Sequence, residues 1–90
     1  MPPTAVVNRK DTRQVNHDDI FIGRPSIWGN IYKLSEYPRD VSINRYEIYA
    51  RGNIEIIKNL SMLSAKQLVC FCKPLACHGD VLVKLCNEHF

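Results

Sequence analysis

The chain has 90 residues, of which 46% are hydrophobic and 23% charged, and its net charge is +3. This length allows one domain, and the composition excludes a disordered, collagen-like or low-complexity chain. No run approaches 18 apolar residues, so no transmembrane helix is predicted. The basic residues are spread along the chain without a run of five, so the charge alone gives little indication of a nucleic-acid partner.

Two short strands are predicted near the start of the chain. Residues 4–8 form a β-prone run that ends at the polar pair Asn8-Arg9, and residues 19–22 form a second run that stops at Gly23. The residues between the two runs are polar and charged, which predicts a loop. Strands this short need other elements to cover them.

The segment 23–30 predicts a structured loop, which continues to residue 39. It contains two glycines and a proline, together with Arg24 and the only tryptophan, Trp28. Rigid turn residues combined with an aromatic ring and an arginine are unusual in a simple connector. The segment is therefore a candidate for ligand binding.

The middle of the chain predicts helices. An apolar stripe of helical period follows Asp40 or Ser42, either of which is a suitable cap. Gly52 interrupts the stripe, which resumes as a second helix or a kinked continuation. The stripe consists of Ile43, Tyr46, Ala50, Ile54, Ile57 and Leu60, and Leu63 is expected to pack on the same core.

The last third predicts a strand and a helix. Residues 67–71 form a continuous apolar run, which predicts a buried central strand, and Pro74 places the following residues in a loop. The final helix is expected to begin within residues 78–80, with Asp80 as its cap. Its apolar face is formed by Val81, Leu82, Leu85 and Cys86.

The order of elements predicts one α/β domain over residues 1–90. We expect a small Rossmann-like domain with a short, mostly parallel sheet flanked by helices. The strand order stays open, and the first two strands could also be antiparallel.

Polar residues follow all three predicted strands, and ligands bind outside the carboxyl ends of parallel strands. These segments therefore meet at one edge if the strands are parallel. Arg9, Arg24 and Lys73 are expected to hold charge, and Trp28 either stacks on a base or sugar or closes the core. The candidate ligand-binding residues are Asn8, Arg9, Gly23, Arg24, Ser26, Trp28, Gly29, Asn30, Cys72, Lys73 and Gly79.

The sequence Cys77-His78-Gly79-Asp80 lies at the predicted start of the last helix. The helix dipole there favours an anion and lowers a thiol pKa, so Cys77 is predicted to be a thiolate. Gly79 would let a phosphate approach the backbone. Cys77, His78 and Asp80 are the candidate catalytic residues, although Asp80 is most simply a helix cap.

Four cysteines lie in the last 21 residues, and the pattern Cys70-x-Cys72-x4-Cys77-His78 contains the donors of a zinc site. The spacing departs from the usual C-x2-C and H-x3-H pairs, so no metal is assigned and zinc stays an alternative. Cys70 and Cys86 lie in apolar patterns and are expected in the core.

The clustered cysteines also bear on the compartment. A disulfide-stapled secreted domain spreads its cysteines along the chain, and the N-terminal residues lack the basic and apolar regions of a signal peptide. We therefore expect a cytoplasmic protein without a membrane partner.

Three motifs carry a resemblance: Val7-Asn8-Arg9, Gly23-Arg24-Pro25-Ser26-x-Trp28-Gly29-Asn30 and Cys70-x-Cys72-Lys73-Pro74-x-x-Cys77-His78-Gly79-Asp80. They resemble a family of short phage and bacterial proteins known as a domain of unknown function. The resemblance spans nearly the whole chain and implies no particular activity. The family's second motif usually continues Gly-Asn-Pro-Phe, where this chain has Gly29-Asn30-Ile31-Tyr32.

The strand-end cysteine and Cys77-His78 also resemble a second uncharacterised, Rossmann-like family. Its patterns are Cys-x-Glu and Cys-His-Arg, and this chain has Cys72 and Gly79 in place of that Glu and Arg. Any catalytic carboxylate of that family is therefore missing here. This resemblance concerns the fold more than the activity.

We expect the protein to bind a phosphate-bearing nucleotide or nucleotide-derived ligand at the strand ends, and whether it also processes that ligand stays open. One alternative is a zinc-stabilised module that binds nucleic acid or a host protein. Another is a protein-binding inhibitor of a host enzyme. If the chain is phage-encoded, it would act in the host cytoplasm.

Overall fold

A computed structural model describes residues 4–8, 19–64, 66–70 and 75–90, with the side chains of residues 7 and 8 left out. Within these ranges the order of elements agrees with the prediction. The elements are strands β1 (Ala5–Asn8) and β2 (Ile20–Phe21), helices α1 (Arg39–Arg51) and α2 (Ile54–Lys58), a 3-10 turn (Leu60–Met62), strand β3 (Gln67–Cys70) and helix α3 (His78–His89).

The three described strands form one parallel sheet in the order β1-β3-β2. Val69 of β3 pairs with Val7 of β1 on one side and with Phe21 of β2 on the other. The prediction that the apolar strand is central is therefore confirmed, and the antiparallel alternative is wrong. Because β2 and β3 are parallel neighbours, their carboxyl ends lie at the same edge of the sheet.

The core lies between the sheet and the helices, and α3 contacts both β1 and α1. Tyr46 of α1 and Leu82 and Leu85 of α3 are fully buried, as the helical stripes predicted. Cys70 and Cys86 are each 2% exposed, which confirms their place in the core. Among the described residues, no helix is long and apolar enough to span a membrane.

Helix α1 begins differently from the prediction. Its N-cap is Pro38, without a side-chain cap, so neither Asp40 nor Ser42 has the expected role. The Ser42 hydroxyl instead donates to the carbonyl of Tyr32 and accepts a hydrogen bond from Asn30 Nδ2 at 2.8 Å. Ser42 is fully buried, so its hydroxyl fixes the preceding loop rather than the helix end.

The stripe after Gly52 is also shifted. Asn53 starts a new helix by accepting hydrogen bonds from the backbone of Glu55 and Ile56. The apolar face of α1 therefore does not continue in the same register along α2. As a result Ile56 is fully buried, whereas Ile54 is 71% exposed. The predicted core position of Ile54 is wrong for this reason.

Helix α3 is capped by Cys77 rather than Asp80. The backbone of Cys77 is extended (φ −147°, ψ 171°), and its sulfur accepts a hydrogen bond from the N–H of Gly79. The Asp80 carboxylate accepts the Cys77 N–H at 3.1 Å, which completes a capping box. Asp80 thus stabilises the helix start, but from the third helical position.

Gly79 allows the first turn of α3 to approach the sheet closely. A Cβ at this position would lie 2.7 Å from Ile22 Cδ1 and 2.9 Å from Val6 Cγ2. Ile22 is fully buried and Val6 packs against the core, so displacing either side chain would disturb further core contacts. Gly79 is therefore required by packing, and the predicted approach of a phosphate to its backbone stays a prediction.

Replacing Gly79 with Ala should reduce the free energy of unfolding by about 1–3 kcal/mol, because the added methyl overpacks this contact. Gly52→Ala is the matched control, since its Cβ would meet nothing closer than 3.7 Å. It should leave stability unchanged or raise it by up to about 1 kcal/mol. Urea unfolding measures both. Equal stability of the two variants would contradict the packing role of Gly79.

Candidate functional site

A cavity of about 370 Å³ opens beyond the carboxyl ends of β2 and β3. Its lining comes from the end of β2 and the loop after it, from residues 30–34, and from the start of α1. Cys70 at the end of β3 and residues 76–78 complete it. Sequence reasoning placed the candidate site at this edge of the sheet, and the structure places a cavity there.

Positive charge dominates the cavity. Arg24, Lys33 and Arg39 line it, and the described lining residues include no carboxylate. Arg39 is held in place by a 2.7 Å hydrogen bond from Nη1 to the carbonyl of Ala76. Three cations with no carboxylate among the described lining residues favour a negatively charged ligand. Sequence reasoning missed Lys33 and Arg39, because neither follows a strand.

Trp28 is not a stacking surface. It is 4% exposed and belongs to the hydrophobic core, and its carbonyl accepts a 2.7 Å hydrogen bond from the Tyr46 hydroxyl. Burial raises the pKa of that hydroxyl. Of the two interpretations of Trp28, closing the core is the one that agrees with the structure.

The aromatic rings that line the cavity are Phe21 and Tyr32. Tyr32 makes edge-on contacts with Tyr37 and Tyr49, at centroid distances of 5.7 and 6.4 Å. Sequence reasoning did not select Tyr32. The available signal was its place directly after the Gly29-Asn30-Ile31 stretch of the second motif.

Asn30 does line the cavity, and both ends of its amide are used. Its Nδ2 donates to Ser42 Oγ, and its Oδ1 accepts from the N–H of Tyr32 at 2.9 Å. These bonds tie the segment before α1 to the helix itself. Asn30 therefore positions Tyr32 at the cavity.

Ser26 and Gly29 shape the loop that carries Arg24. Ser26 Oγ donates to the carbonyl of Gly23 at 2.7 Å and accepts the N–H of Trp28 at 3.2 Å. A Cβ on Gly29 would lie 2.7 Å from Arg24 Cγ, so glycine lets the arginine stem pass. Of the predicted ligand residues, Gly23 and Arg24 line the cavity. Ser26 and Gly29 instead stabilise the conformation of the loop that carries Arg24.

His78 also lines the cavity. It is 8% exposed, packs edge-on against Tyr46 at a centroid distance of 4.9 Å, and its Nε2 is 2.8 Å from the carbonyl of Ile22. A carbonyl only accepts, so Nε2 carries the proton and Nδ1 is the nitrogen that can accept one. Burial lowers the pKa of His78 and outweighs the hydrogen bond with the Ile22 carbonyl, which raises it. The charge of Arg24 lowers the pKa further.

Cys77 also lines the cavity, with its sulfur 3.3 Å from the sulfur of Cys70. Its hydrogen bond with Cys70 and its burial raise the pKa of Cys77 well above the usual range. The N–H of Gly79, which donates to the Cys77 sulfur, lowers that pKa but does not outweigh them. The predicted Cys77 thiolate is therefore wrong.

Several predicted residues lie outside the described part of the chain. These are Arg9, Cys72, Lys73 and the side chain of Asn8. The zinc alternative depends on Cys72 and so stays a prediction. Within the described ranges, no group of three or more His, Cys, Asp or Glu side chains is placed to hold a metal ion.

The buried His78 predicts a pH-dependent stability. Its pKa is about 6.5 in the unfolded chain and lower in the folded protein, so the unfolded state binds the additional proton. The contribution of His78 to stability should be complete above about pH 6.5, the unfolded-state pKa, and should fall as the pH drops from 7.5 to 5.5. Glu47 and Glu88 stay ionised in this window, because ion pairs with Arg51 and Lys84 lower their pKa values.

Urea unfolding at the two pH values measures the loss. His78→Gln keeps a donor for the Ile22 carbonyl but does not titrate, so its stability should change much less. His89→Gln alters an exposed histidine and should behave like the wild type. An equal loss in the His78→Gln variant would contradict the role of His78.

Comparison with known proteins agrees with the resemblance drawn from the motifs. No solved structure matches the chain. The chain is 32% identical over 79 residues to an uncharacterized 12.4 kDa protein in the nrdA-td intergenic region of enterobacteria phage T4. The match covers 80% of this chain and 70% of that relative. The family model described as Domain of unknown function (DUF4326) matches residues 6–88, so the chain belongs to the DUF4326 family.

Proposed function

We propose that the cavity binds a phosphate-bearing nucleotide or nucleotide-derived ligand. The observation that carries this proposal is the set of three cations, Arg24, Lys33 and Arg39, in a cavity whose described lining contains no carboxylate. Arginine and lysine are the side chains that bind phosphate in proteins, and charge-assisted hydrogen bonds to phosphate are roughly twice as strong as neutral ones.

The rest of the lining suits a nucleoside. The rings of Phe21 and Tyr32 provide apolar surface for a base, and Ile43 and Leu34 add aliphatic surface. The volume lies near the lower end of the range of about 300–1,000 Å³ for small-ligand sites. We therefore propose a ligand of mononucleotide size rather than a dinucleotide.

The position of the cavity supports a Rossmann-like arrangement. It lies at the carboxyl ends of parallel strands, and α3 follows the central strand in the chain. This is where open α/β sheets bind nucleotides. The phage relative supports a site of action in the cytoplasm of a host cell.

Isothermal titration calorimetry with AMP, GMP, CMP and UMP tests the proposal. At least one of the four should bind, and Arg24→Met and Lys33→Met should each weaken binding about 10-fold or more, the contribution of one hydrogen bond to a charged group. Methionine keeps an unbranched stem, so the Arg24 stem contact with Gly29 is largely preserved.

Lys58→Met removes a cation that pairs with Glu55 on α2, outside the cavity, and should leave binding unchanged. Higher salt should weaken binding in the wild type. The proposal is wrong if none of the four nucleotides binds. It is also wrong if the Lys58 variant loses as much affinity as the two cavity variants.

A further inference from the structure

Two thiols meet in the cavity, although they lie seven positions apart in the chain. The sulfur atoms of Cys70 and Cys77 are 3.3 Å apart, and both residues line the cavity. Cys70 is fixed by the ladder of β3 and Cys77 by the capping box of α3. The two thiols are therefore brought together by two different elements of the fold.

The two sulfurs are not equivalent. Cys77 accepts a hydrogen bond from the N–H of Gly79 at 3.3 Å, which lowers its pKa, but the hydrogen bond with Cys70 raises that pKa by more, so the proton shared in the contact is assigned to Cys77. An S–H donor stabilises negative charge on the sulfur that accepts it. Burial also keeps the pKa of Cys77 high, which holds its proton in place. Cys70 is therefore the sulfur on which a thiolate is favoured.

The cations of the cavity determine which reagent reaches this pair. Arg24, Lys33 and Arg39 line the same space, so an anionic molecule is attracted to it and a cationic one is repelled. The pair is thus suited to exchange with a small anionic disulfide.

We propose that Cys70 and Cys77 form a thiol–disulfide exchange couple that takes an anionic low-molecular-weight disulfide. The Cys70 thiolate attacks one sulfur of the reagent, the S–S bond breaks, and one reagent thiolate leaves. Cys77 then loses its proton to solvent and attacks the Cys70 sulfur, releasing the second reagent thiolate. The two protein thiols are oxidised to one disulfide, and the reagent is reduced to two thiols.

The second step needs only a small movement. A disulfide has an S–S length of about 2.05 Å, so the sulfurs must approach by roughly 1.3 Å.

The couple goes beyond nucleotide binding and does not rest on it. Either proposal can fail while the other stands.

The test uses 5,5′-dithiobis(2-nitrobenzoate), an anionic disulfide, on a Cys72→Ser background, because Cys72 lies outside the described residues. This parent should release two thionitrobenzoate ions per chain and retain no adduct, and peptide mapping should find a Cys70–Cys77 disulfide. Adding Cys77→Ser should give one fast release and an adduct that stays on Cys70. Serine keeps a capping oxygen at the start of α3.

Cys70→Ala should slow the first release at least about 10-fold, because the favoured thiolate is lost. Cys86→Ala is the matched control, since Cys86 is equally buried but lies outside the cavity. It should react like the parent. An adduct retained by the parent, or fast reaction after Cys70→Ala, would overturn the proposal.

Peptide mapping of the wild-type chain with glutathione disulfide gives a test that needs no variant. The Cys70–Cys77 disulfide should form faster with glutathione disulfide than with cystamine, because the first is anionic and the second cationic. Pairing of Cys70 with any cysteine other than Cys77, or faster reaction with cystamine, would also overturn the proposal.

Discussion

The close approach of the first turn of α3 to the sheet is the constraint on which the rest of the site depends. At Gly79 there is no room for a side chain between the helix backbone and the side chains of Val6 and Ile22. This proximity lets His78 reach the Ile22 carbonyl and places the sulfur of Cys77 against Cys70. The helix start is therefore joined to both β2 and β3, and the cavity is the space that remains beyond these contacts.

The same constraint divides the polar residues into two groups. Groups at the start of α3 are used within the fold, since Asp80 accepts the N–H of Cys77 and Gly79 donates to the Cys77 sulfur. The charge that faces the cavity comes instead from Arg24, Lys33 and Arg39. Nucleotide binding and disulfide exchange are thus proposed for different atoms of one cavity, with its positive charge in common.

The sequence predicted the elements and the edge of the sheet where the cavity lies, because hydrophobic period and strand-end position are local signals. It did not predict that Trp28 turns into the core while Tyr32 lines the cavity, since a loop aromatic has no period that shows its direction. Nor did it predict Cys77 as the cap, because capping depends on backbone dihedral angles. Lys33 and Arg39 line the cavity because the segment before α1 folds back onto it. Only the tertiary fold determines the course of that segment.

The most direct test of the central claim, that this cavity is the ligand site, is an amide ¹H–¹⁵N chemical-shift titration with the four nucleoside monophosphates. The account predicts shift changes at Gly23, Arg24, Lys33 and Ala76, which line the cavity, for whichever nucleotide binds. Ile48 and Ile54, which are exposed on α1 and α2 away from its lining, should not change. Changes centred on Ile48 and Ile54, or no changes with any of the four, would contradict it.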